Sequence, residues 1–100
     1  MKTRHAVPLA FMVTWLLIQP PVRPTGNGTF DYDAKIPISE WAILKRFQHT
    51  DDCIAEMDKL ETQFDQAWEH MQPTTYDYAF AMAHSWSQCV ESNDPRLKDK

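Results

Sequence analysis

Cys53 and Cys89 are the only cysteines of this 100-residue chain, and His49, His70 and His84 lie in the same region. Thiols and imidazoles can hold a metal, run a redox cycle or activate a nucleophile, and each of those chemistries demands a spacing. Catalytic dithiols sit as C-x-x-C, and zinc sites gather three or four Cys or His at short intervals. Two cysteines far apart fit neither, which leaves a structural disulfide. Acids such as Asp51, Asp58 and Glu69 stand near the histidines in sequence. Yet the chain contains no H-E-x-x-H, nucleophile elbow or phosphate-binding glycine loop. We therefore expect no catalytic residue, no metal and no cofactor, so the chain is not read as an enzyme. A small metal-binding protein or hydrolase is the minor alternative.

Aromatic side chains are the other resource. Trp41, Phe64, Trp68 and Trp86 fall at helical spacing, where aromatics usually build a core. Tyr76, Tyr78 and Phe80 lie partly off that pattern. They are the candidate partner face, because exposed aromatics on an acidic surface mark binding sites.

The elements that must position these residues read as helices. Two glycines against seven prolines argue against a sheet protein built on tight glycine turns. Ser39 is a plausible N-cap, with Glu40 behind it and Ile38 and Ile43 at staple positions, so a short helix carrying Trp41, Leu44 and Phe47 is expected. Thr50, Asp51 and Asp52 open a second helix. Its seam of Cys53, Met57, Leu60, Phe64, Ala67 and Met71, widened by Ile54 and Trp68, recurs at alternating intervals of four and three. Gln72-Pro73 ends it. Thr74 with Asp77 matches a capping box for a third helix, whose seam is Ala79, Met82, Trp86 and Cys89 and whose stop is Asn93-Asp94-Pro95.

The short turn makes the last two helices an antiparallel hairpin. Arms of about 27 and 21 Å put Cys53 and Cys89 together at its open end. The expected fold is all-α: a short helix plus a hairpin stapled by one disulfide, spanning residues 38–100.

Two further segments precede it. Residues 1–18 combine Lys2 and Arg4 with an apolar run from Ala6 to Ile18, the first two parts of a secretory signal. Thirteen residues make a helix of about 20 Å, short of a bilayer core of about 30 Å. Export is thus favoured over a membrane tether through residues 6–18, which stands as the alternative. Residues 19–37, with prolines 20, 21, 24 and 37, read as an extended flexible linker. They contain an N-glycosylation sequon, Asn27-Gly28-Thr29.

Charge restricts the partners. All fourteen acids lie at or beyond Asp31, against seven Lys/Arg from Thr29 onward. So acidic a region is repelled by nucleic acid, so no nucleic-acid partner is expected. An unknown protein partner is expected instead, with membrane contact only through residues 6–18 where that segment is retained.

Together these residues resemble a group of small, uncharacterised bacterial exported proteins. The resemblance rests on WLLIQPP from Trp15, on Trp41, Phe47, Cys53 and Cys89, and on DPRLK from Asp94 to Lys98. It covers most of residues 15–100, and the DPRLK run is its most specific part. It implies a periplasmic or secreted protein and lends no catalytic residue. In such proteins the Trp-Pro-Pro segment follows the cleaved signal. Here fourteen residues precede Trp15, so either the apolar segment itself serves export or anchoring, or the start lies upstream. The function expected is that of a non-catalytic binding or structural accessory outside the cytoplasm, or alternatively a membrane-tethered subunit of an envelope complex.

Overall fold

The computed structural model describes residues 14–98, and in it the apolar run that resembles a signal core becomes a strand. β1 (Trp15–Gln19) is the middle strand of a three-stranded antiparallel sheet, between β4 (Ala42–Phe47) and β5 (Gln88–Glu91). Leu16, Leu17, Ile18 and Gln19 are all buried. A strand covered on both faces loses the usual in–out alternation and appears as an unbroken apolar stretch. Pro20, itself buried, lacks the N–H that a ladder needs and ends the strand.

Register assigns the faces. Leu17 pairs with Cys89 and Leu16 with Val90. Along β4, Leu17 faces Lys45 and Ile18 faces Ile43, so Leu44 is the extra residue of a β-bulge. Leu17, Gln19 and Cys89 therefore look toward the helical layer. Leu16, Ile18 and Val90 look the other way and pack with Trp41, Ile36, Ile38 and Leu97.

That second face is roofed by two single-turn 3-10 helices, Ile38–Glu40 and Pro95–Lys98, lying against each other. The Trp41 indole N–H donates to the Ile36 carbonyl at 3.0 Å, fixing the first of them. In the second, Asp94 Oδ1 accepts from the Arg96 amide at 2.9 Å, and the Arg96 guanidinium binds both carboxylate oxygens.

The first face carries α1 (Thr50–Ala67), extended by the 3-10 turn Trp68–His70, and then α2 (Tyr76–His84). Thr75 caps α2, its hydroxyl accepting from the Tyr78 amide at 3.3 Å. β2 (Val22–Pro24) and β3 (Phe30–Tyr32) form a separate antiparallel hairpin packed on α2. Its turn needs left-handed backbone at Gly26 (φ 98°) and Gly28 (φ 88°), a conformation that glycine adopts without strain.

Among the described residues the fold is thus mixed α/β with five strands and two helices, and the all-α expectation is corrected on four counts. The helix expected after Ser39 is one 3-10 turn followed by β4, because pairing with β1 outweighs a helical spacing of only three apolar residues. The third helix stops at His84, and Cys89 lies in β5. The simple helical hairpin closed at its open end is therefore replaced by a helix-to-strand link. The flexible linker contains the β2–β3 hairpin, braced by Arg23 and Asp33 at 3.7 Å. Last, Trp15–Ile18 of the apolar segment 6–18 is built into the sheet as a strand; residues 6–13 and the rest of the signal-like N-terminus lie outside the described residues. Among the described residues, no helix is long and apolar enough to cross a membrane.

Candidate functional site

Cys53, in the first turn of α1, is bonded to Cys89 of β5, with 6.1 Å between their Cα atoms. Cys53 is fully buried, and neither sulfur is a free thiol. The disulfide was legible in the sequence; that it joins a helix to a strand was not.

A polar node lies under the same layer. His84 and Gln19 are 3 % and 1 % exposed. His84 Nδ1 lies 2.9 Å from Gln19 Oε1, and its Nε2 lies 3.1 Å from the Met57 carbonyl oxygen. The Gln19 amide N–H donates to the Phe80 carbonyl at 3.4 Å. The node therefore ties β1, α1 and α2 together. Every buried side-chain nitrogen and oxygen among the described residues has a partner, as buried polar groups require.

A cleft of about 110 Å³ between α1 and α2 brings Glu61 and Asp65 near His84 and Ser85. The Ser85 hydroxyl, however, donates to the Met82 carbonyl at 2.7 Å, and both His84 nitrogens are taken by the fold. His49 precedes α1 and His70 follows it, so about 30 Å of helix separates them. The three histidines therefore do not gather at one place. Among the described residues, no group of three His, Cys, Asp or Glu could hold a metal ion.

Tyr76 and Tyr78 both lie beside Phe30, while Phe80 reaches inward. Tyr76 is 47 % exposed, resting edge-on against Phe30 at 5.6 Å and stacked on Phe80 at 5.9 Å. Phe80 continues inward to Phe64 at 5.8 Å, and Phe64 meets the His84 ring at 5.3 Å. Tyr78 instead lines a cleft of about 150 Å³ with Asp31, Tyr32 and Pro73. One tyrosine is presented, one lines a cleft, and the phenylalanine is packing.

A larger hollow than these two clefts lies on the opposite side of the sheet. A groove of about 280 Å³ opens between the two roofing turns, walled by Leu16, Ile18, Ile38, Trp41, Ile43 and Leu97. Ser39 and Ser92 add hydroxyls, and its charged lining residues are Arg46 and Lys98. Arg46 projects on this face because it pairs with Leu16. Among the described residues, ion pairs form at Arg23–Asp33, Lys59–Glu56 and Arg96–Asp94, and neither Arg46 nor Lys98 takes part. This groove was hidden in the sequence, since its walls come from β1, residues 38–46 and the C-terminal turn. Gln19 gives no clue to it, because that side chain points to the other face, into the node with His84.

Comparison with family models, curated proteins and solved structures finds no match to this chain.

Proposed function

We propose that this protein is a non-catalytic binding module that works outside the reducing cytoplasm. The observation that carries the reading is the Cys53–Cys89 bond, which joins α1 to β5 and so fastens the helical layer to the sheet. Such a bond persists in oxidising compartments such as the periplasm or the extracellular space, and thiols there pair rather than stay reduced. Binding is supported over catalysis by how the reactive side chains are used. Both sulfurs, both His84 nitrogens and the Ser85 hydroxyl hold the fold together. What remains for function is surface: the groove behind the sheet, and the cleft beside Tyr76 and Tyr78.

Trapping thiols with an alkylating reagent in intact cells tests the reading. Both cysteines are expected to resist alkylation until a reductant is added, in the fraction released from the envelope. Two freely alkylated thiols in native material would refute it.

A further inference from the structure

We propose that the groove behind the sheet is a binding site for a single-chain amphiphile with an anionic head, of the fatty-acid class. The assignment rests on the reading of the chain as a binding module and names its guest. Its floor is the buried outer face of β1, and Ile43, 47 % exposed, forms an unroofed wall. A trough of about 280 Å³, its surface shared about equally between apolar and polar groups, is close to the small end of ligand pockets, so it suits one short amphiphile rather than a folded partner.

Charge selects the head group. The chain carries a net charge of −4, yet among the described residues the charged ones lining this groove are two cations, Arg46 and Lys98. The nearby Asp94 is already held by Arg96 in two hydrogen bonds from the guanidinium. A carboxylate placed at the rim would therefore meet positive charge not neutralised by any ion pair within the described residues. Arg adds a planar fork suited to two carboxylate oxygens. Buried apolar walls, an open apolar side and a cationic rim on an acidic molecule are together the complement of an anionic amphiphile.

Methyl-detected NMR of the full oxidised chain, titrated with decanoate, decanol and decyltrimethylammonium below their micelle concentrations, tests the assignment. Decanoate is expected to shift the methyls of Ile18, Ile38, Ile43 and Leu97 in a saturable way, decanol more weakly and the cation least. Shortening decanoate to octanoate should weaken binding by about fourfold per methylene lost. Arg46→Gln with Lys98→Gln should weaken decanoate roughly five- to tenfold while leaving decanol unchanged. Ile43→Asp, at a half-exposed site, should abolish decanoate binding with the circular dichroism unaltered. The assignment fails if decanoate shifts no groove methyl, or if it binds no better than decanol. It also fails if those methyls shift with protein concentration alone, which would make the groove a contact between copies. Silent methyls with both thiols protected would sink the guest while leaving the binding-module reading intact.

Discussion

Gln19 and His84 show how one polar pair can organise a small core. Each is nearly inaccessible, and each satisfies the other while reaching the backbone of a neighbouring helix. Gln19→Leu keeps the volume but leaves His84 Nδ1 buried without a partner, a loss of about 1–3 kcal/mol. Urea unfolding should show that loss as a lower midpoint at unchanged slope; an unchanged midpoint would mean that the node contributes nothing to stability. Asp94 makes a different residue-scale case. The hydrogen bonds from Arg96, the side-chain bond first, hold its carboxyl below the usual carboxylate range. A carboxyl lowered in the folded state stabilises above its unfolded value, and that stabilisation disappears as pH falls through the lowered one. The Pro95–Lys98 turn should therefore keep its packing at mildly acidic pH and loosen only in strong acid. Asp94→Ala should loosen it at neutral pH, read by the Leu97 methyl shifts.

Among the elements, β1 matters most, because it is the partner of both edge strands and separates the two packed faces. Leu17 is fully buried against the helical layer. Leu17→Ala should cost about 2–5 kcal/mol, the range for emptying a leucine site in a packed core. Ile43→Ala on the exposed edge should cost less than about 1 kcal/mol. Equal losses at the two positions, measured by thermal and urea unfolding, would contradict a central role for β1. The α1 pattern was legible because it is long and self-consistent: Cys53, Met57, Leu60, Phe64 and Ala67 are all less exposed than flanking Asp52, Lys59, Gln63 and Gln66. Ile54 and Trp68, expected to widen that stripe, are 43 % and 40 % exposed. The stripe is therefore narrow, as suits a helix lying on a single sheet face.

For the molecule as a whole, the disulfide is the decisive link. It closes a loop with a sequence separation of 36, worth about 4 kcal/mol in the chain-entropy model. A core this small typically supplies about 3–5 kcal/mol. Cys53→Ser with Cys89→Ser, or simple reduction, should therefore bring the chain close to unfolding at physiological temperature. Calorimetry of the oxidised and reduced forms checks this; melting temperatures within a few degrees of each other would show that the layers hold without the bond. Binding in the proposed sheet-face groove should therefore require the oxidised chain. The groove's roof is attached to a sheet whose far face is fastened by that bond.

The sequence alone determined whatever is decided within a few neighbouring residues. Thr50-Asp51-Asp52 opened α1, Gln72-Pro73 closed the helical tract, and the cysteine count implied a bridge. Tertiary structure decided everything that depends on distant pairing. Trp15–Gln19 carries no local mark distinguishing a two-sided buried strand from a signal core, because both are short unbroken apolar runs. Ala42–Phe47 and Gln88–Glu91 became strands only because β1 offered each of them a ladder, and strand preference lies in the neighbours more than in the residue itself. The groove with its two cations followed from that pairing, since its walls are remote in sequence and meet only once the sheet has formed.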